Sequence, residues 1–169
     1  MDARSIHLQD LQIALTYLNT VMADVTPEQA HSVPEGTVQT IAATYAHAIL
    51  ASDVQCHRRI QDVPALWQEG EWAGKTGISE CVLRITPEWG KQVQVDLAQS
   101  RAYGDAVFAA MTEFVSTVDL DREMDLSAMG AGQKTVSWWI SQGVIAHLLV
   151  LTGEIVALKG IQGLKGDMF

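Results

Sequence analysis

The sequence predicts an all-α fold, a four-helix bundle with long connections. Apolar residues recur at helical spacing in four long segments, predicted at residues 5–24, 37–61, 89–118 and 137–159. The periodicity breaks at residues 62–86 and 119–135, which carry glycine, proline or polar residues and are predicted to be connections. Connections of this length are typical of a bundle that does not follow the simplest up-and-down path.

The first two helices are predicted from the positions of their apolar residues. Leu11, Leu15 and Leu18 recur three or four positions apart in the first helix, with polar residues between them. A connection at residues 31–36 follows. The second helix is apolar on two sides, which predicts a packing partner on each side.

The aromatic residues of the 62–86 connection predict an ordered loop that crosses outside the bundle. Trp67 and Trp72 are its anchors, and a loop of this length in a compact domain usually covers something or is functional. The third helix carries Gly104, which is either a point where another helix packs closely or a weak spot in the helix. The fourth ends at a glycine-bearing tail suited to a helix C-cap.

Composition excludes several classes of protein. The 169 residues are most simply a single domain, and a content of 48% hydrophobic residues excludes a disordered chain. The net charge of −9 argues against nucleic acid and against an anionic membrane surface, because both are bound by clustered Lys and Arg. Arg58 and Arg59 form the densest basic pair.

A cytoplasmic, reduced protein is the expectation from the termini and cysteines. The N-terminus carries no apolar signal region. The most apolar run, residues 143–158, is shorter than the ~20 residues that a bilayer span needs and contains Glu154, which favours a buried helix and no membrane. Cys56 and Cys81 are too few for a disulfide framework, and neither has a base at a spacing typical of a nucleophile.

A lone histidine stands in each of two apolar helices, His47 in the second and His147 in the fourth. Two histidines four residues apart on a helix would point two nitrogens at one metal ion. One turn after His147, however, the chain has Leu151, which cannot ligate a metal. The alternative interpretation is a pair of buried histidines that are hydrogen-bonded to helical neighbours or water.

The order of these features resembles the DinB-like superfamily, also called DinB/YfiT-like metalloenzymes. The resemblance rests on the lone histidine of the segment 43–48 (ATYAHA), the loop 66–72 (LWQEGEW), and His147 followed by residues 152–155 (TGEI) and 158–163 (LKGIQG). It covers most of the chain, and the order and spacing of all the motifs carry it.

The resemblance implies a bundle that holds a divalent metal, zinc or nickel, through three histidines. Relatives include maleylpyruvate isomerase-like proteins and transferases that use low-molecular-weight thiols such as mycothiol or bacillithiol, in which the metal would stabilise a thiolate. His47 matches the first ligand and His147 the second. The third position falls on Leu151, and Glu154 is an accessory candidate on the same helix.

Three functions remain open at this point. The first is a degenerate or atypical member of a metal-dependent thiol transferase or isomerase family acting on a small molecule. The second is a metal-free bundle that binds a small molecule or acts in a stress response without catalysis, and Leu151 favours it over the first. The third is a structural module. Surplus apolar surface on the first and last helices, with Trp138 and Trp139 at the start of the latter, also predicts a homodimer.

Overall fold

The structure is a computed structural model that describes residues 2–36, 38–78 and 85–166. Helices within these residues are α1 (Ala3–Met22), α2 (Pro27–His31), α3 (Ile41–Val54), α4 (Leu66–Glu69), α5 (Trp72–Thr76), α6 (Pro87–Gln92), α7 (Leu97–Thr117), α8 (Val136–Trp139) and α9 (His147–Ile161). Two π-helical segments extend these helices: π1 (Gln55–Gln61) follows α3, and π2 (Ile140–Ala146) joins α8 to α9. The all-α bundle predicted from the sequence is confirmed.

The second long helix begins at Ile41, later than the predicted start at residue 37, which itself lies outside the described residues. Thr40 is the N-cap, and its hydroxyl accepts the backbone N–H of Ala43, so the capping side chain sets the start. Every side chain of α3 is buried, as its two-sided apolar pattern predicts. Helix α3 is therefore the central helix of the domain.

The predicted helix at 89–118 is wrong at its N-terminal end. Helix α6 ends at Gln92, and α7 begins only at Leu97, after the N-cap Asp96. Val93 and Val95 are buried between the two helices, while the N–H of Val95 donates to His31 Nε2 and that of Asp96 to the Thr76 carbonyl. Because these donors bond outside the helix, the segment stays extended.

Both predicted connections contain more regular structure than the sequence indicated. The first holds the short helices α4 and α5, and its residues 79–84, including Cys81, lie outside the described residues. The second folds back as a hairpin of β1 (Glu123–Asp125) and β2 (Gln133–Thr135), which pair antiparallel with Met124 opposite Lys134. This sheet has two strands and does not alter the fold class.

The packing order of the long helices follows from their contacts. Helices α7 and α9 each pack against both α1 and α3, so α1 and α3 lie diagonally across the bundle. The segment that connects α1 to α3 therefore crosses the end of the bundle. Such a crossing is expected for a bundle whose consecutive helices are not all neighbours. The small side chains of α3, among them Ala42, Ala46 and Ala48, allow its neighbours to approach closely.

The last long helix is continuous from Val136 to Ile161, longer than the apolar run seen in the sequence. By length and composition alone it could cross a membrane, yet core helices pass the same test, and 44% of its most apolar window is buried in the bundle. Its outer face exposes Leu149, Val150 and Ile161. This face is called the α9 face below.

Candidate functional site

The structure brings the two predicted histidines together. His47 lies on α3 and His147 at the first residue of α9, and these two helices pack directly against each other. The ring centroids are 5.4 Å apart with the planes at 85°, an edge-to-face contact. His47 is buried and His147 half-buried, so the pair lies within the bundle with one ring reaching outward.

A π-helical segment directly precedes His147. The indole ring of Trp139, the buried last residue of α8, covers the backbone of Gly143 in π2. A Cβ added to that glycine would lie 2.6 Å from Trp139 Cε2. π-helical turns change which way the following side chains point, and they are frequent at functional sites. The close Trp139–Gly143 contact therefore helps to set the direction in which His147 leaves the helix.

Gly143→Ala tests this contact. We expect the free energy of unfolding to fall by about 1–3 kcal/mol, because Trp139 is buried and cannot move aside without strain. Chemical denaturation would measure the loss. Gly74→Ala is the matched control, since Gly74 is also helical and a Cβ there meets nothing within 4 Å. Equal stability of the two variants would contradict the role given to Gly143.

Burial keeps the outer ring of the pair neutral. Desolvation lowers the pKa of His147 below its ordinary value of 6.5, so the imidazole is uncharged at neutral pH. A neutral imidazole offers a nitrogen lone pair, which is the form that ligates metals. The electrostatics at His147 thus suit ligation as well as simple packing.

The donor set does not fit the three-histidine metal site that the resemblance noted in the sequence implies. The position one turn after His147, where that resemblance places the third histidine, holds the buried, apolar side chain of Leu151. Glu154 is two turns beyond His147, a rise of about 10 Å along the helix, and is half-buried. Within the part of the chain that the structure describes, no three His, Cys, Asp or Glu side chains form a group able to hold a metal.

A second cluster, centred on Asp53, was missed by the sequence analysis. The Asp53 carboxylate is fully buried and lies 2.7 Å from Nδ1 of His57, one turn later on the same helix. It also accepts a short hydrogen bond from the Tyr103 hydroxyl, and the backbone N–H groups of Leu66 (3.0 Å) and Trp67 (2.9 Å). One side chain of α3 thereby fastens α7 and the start of α4.

The hydrogen bonds at this cluster favour its charged form. Burial by itself would raise the pKa of Asp53, but the bonds from His57, Tyr103 and the two backbone N–H groups outweigh it, and the pKa is lowered from 3.8. The bond to Asp53 raises the pKa of His57 above 6.5 against the opposing effect of burial. An aspartate followed four residues later by a histidine in an otherwise apolar helix was the sequence signal for this pair.

The cysteines show no sign of reactivity where they are described. Burial raises the pKa of the Cys56 thiol to about 12, so the thiolate is absent at neutral pH. Cys81 lies outside the described residues. The Cys56 thiol is therefore poorly suited to act as a nucleophile at neutral pH.

The protein is an α-helical bundle that carries one histidine on each of two adjacent core helices. The model of the DinB superfamily matches residues 10–148, which is most of the chain, and the chain belongs to that superfamily. The match includes both histidines and ends before Leu151.

A solved structure supports the fold. A conserved protein from Enterococcus faecalis, known from its crystal structure, superposes with a TM-score of 0.81 at 17% sequence identity, covering 95% of this chain and 97% of that one. At this identity the likeness concerns the fold alone. No curated protein matches the sequence significantly.

Proposed function

We propose that this chain is a degenerate member of the DinB superfamily, a metal-free bundle that binds a small molecule without metal catalysis. The observation that carries the proposal is the histidine pair itself. His47 and His147 are in ring contact, while the third position holds Leu151. Catalytic zinc typically has three protein ligands and one open position, and two imidazoles are fewer than that.

The competing function is a metal-dependent thiol transferase or isomerase with an atypical site. The neutral state of His147 favours this alternative, since it leaves a lone pair for a metal. Such a site would need a ligand other than the two histidines, for example water or Glu154. A low-molecular-weight thiol would be its cofactor.

Metal content decides between the two functions. We expect tag-free protein, dialysed against zinc or nickel and then buffer, to hold far less than one equivalent in elemental analysis. Leu151→His supplies the missing ligand one turn after His147, so its Zn²⁺ or Ni²⁺ affinity in calorimetric titration should rise by at least about tenfold, ~1.4 kcal/mol.

Two variants control for non-specific binding. Leu151→Gln changes the polarity of the same position without supplying an imidazole, and should gain no affinity. Leu151→His combined with His47→Ala should lose the gain, because it removes the ligand from α3. Stoichiometric metal in the unmodified protein would overturn the metal-free proposal, and no gain in Leu151→His would show that the histidine pair is not arranged around a metal position.

We also propose that the protein works as a cytoplasmic homodimer. Support for the dimer comes from the α9 face, where Val150 is 67% exposed and Ile161 63%. A second copy would remove these side chains from water. Support for the cytoplasmic location comes from Cys56, which is a buried free thiol, as is usual in a reducing compartment.

A further inference from the structure

One cleft has neither His47 nor His147 in its lining. It has a volume of about 670 Å³, within the range of small-molecule sites, and lies where π1 ends. Its charged lining consists of Arg58, Arg59, Asp62 and Asp125. Two positive and two negative side chains thus face one concavity in a chain with a net charge of −9.

The two arginines of the cleft differ from others that the fold uses. Arg4 and Arg122 donate to backbone carbonyls, those of Val115, Val118 and Ile60. The side chains of Arg58 and Arg59 are exposed and make no hydrogen bond or ion pair to any residue within 2–36, 38–78 and 85–166. Adjacent unpaired guanidinium groups are suited to a carboxylate, which they can bind with paired hydrogen bonds.

Internal hydrogen bonds hold both walls of the cleft in place. On one side, the N–H groups of Leu66 and Trp67 bond to buried Asp53, which fixes α4 and its cleft residue Gln68. On the other side, the Arg122 guanidinium donates to the Ile60 carbonyl at 2.6 Å, which ties the β1 end of the hairpin to π1. A cleft with fixed walls needs little ordering when a ligand binds.

The geometry points to a binding site for a small zwitterion of amino-acid or dipeptide type. The ligand carboxylate binds Arg58 and Arg59, its ammonium group binds Asp125, and an apolar side chain rests on Val54, Val63 and Pro64. The Asp125 carboxylate accepts bonds from the N–H and the side chain of Ser127, and a carboxylate, with about four acceptor positions, can still accept an ammonium group. This inference deepens the proposed binding function, on which it rests, by naming the ligand class and the surface.

Titration with leucyl-leucine, followed by backbone amide NMR, tests the site. We expect shifts confined to residues 54–68 and around Asp125. N-acetyl-leucyl-leucine lacks the ammonium group and leucyl-leucine amide lacks the carboxylate, so each should bind at least about tenfold more weakly. Inorganic phosphate, which has no ammonium group, should also bind more weakly than the dipeptide.

Single-charge variants supply the controls. Arg58→Gln, Arg59→Gln and Asp125→Asn should each weaken dipeptide binding about tenfold or more, whereas Lys91→Gln, which removes a charge on α6, should not.

The inference is overturned by arginine variants that bind the dipeptide as tightly as the wild type does, by an acetylated dipeptide or phosphate that binds as tightly as leucyl-leucine, or by an absence of shifts in the cleft. Shifts around His47 and His147 instead would overturn the cleft site and leave the binding function standing, while stoichiometric metal would overturn only the metal-free function.

Discussion

Asp53→Asn should lower the free energy of unfolding by about 3–5 kcal/mol, the cost of removing one partner from a buried ion pair. The carboxylate accepts bonds from His57, Tyr103 and two backbone N–H groups at once. An amide of the same size has one acceptor oxygen instead of two, so it leaves buried donors unsatisfied. Urea denaturation at pH 6 measures the loss.

Asp105→Asn is the matched control, because Asp105 is exposed on α7 two residues from Tyr103. A surface substitution of this kind should change stability by no more than about 0.5 kcal/mol. If Asp53→Asn also lowered the free energy of unfolding by no more than about 0.5 kcal/mol, the Asp53 cluster would not hold α4 and α7 to the core.

The stability difference between wild type and Asp53→Asn should also depend on pH. The pKa of His57 is raised by Asp53, so its contribution is full below 6.5 and is lost as pH rises through the higher folded value. The pKa of Asp53 is lowered, so its contribution is full above 3.8 and is lost as pH falls through the lower folded value. The difference is therefore largest between pH 3.8 and 6.5. Desolvation lowers the pKa values of buried His7 and half-buried His147, so their contribution to stability rises with pH, opposite in sign to that of His57, and wild type and variant share it.

Val150→Glu should convert the proposed homodimer to a monomer. Val150 is the most exposed of the apolar side chains that define the α9 face, and a second copy packed there would bury the new carboxylate in apolar surroundings on both subunits, at a cost of several kcal/mol. Sedimentation at tens of micromolar distinguishes the two states. Exposed Gly153, Ala157 and Gly160 on the same helix would let the two copies approach closely.

Met129→Glu is the control for the dimer experiment. Met129 is 47% exposed and lies on the connection between β1 and β2 instead of on α9, so its substitution should leave the assembly unchanged. A monomeric wild type would refute the dimer, and a dimeric Val150→Glu protein would move the interface to another surface.

The long helices could be predicted because their signal is local. In α1 and α7, apolar residues repeat with the period of the helix and face the core, which the sequence displays without any knowledge of the partner helix. The end of α6 could not be found in this way. The stop at Val93–Asp96 depends on His31 and Thr76, whose acceptor atoms come from distant parts of the chain.

The same distinction, between local signals and contacts with distant residues, applies to the candidate site. The sequence by itself determined that His47 and His147 lie on apolar helices and that Leu151, which cannot ligate a metal, follows His147 by one turn, because each statement concerns residues within one helix. Only the tertiary structure decided that the two rings meet, that Trp139 packs over Gly143 before His147, and that Asp53 binds groups on α4 and α7. Periodicity records which face of a helix is apolar, whereas a hydrogen bond between residues 50 positions apart, such as that from Tyr103 to Asp53, leaves no periodic trace and exists only once the bundle has closed.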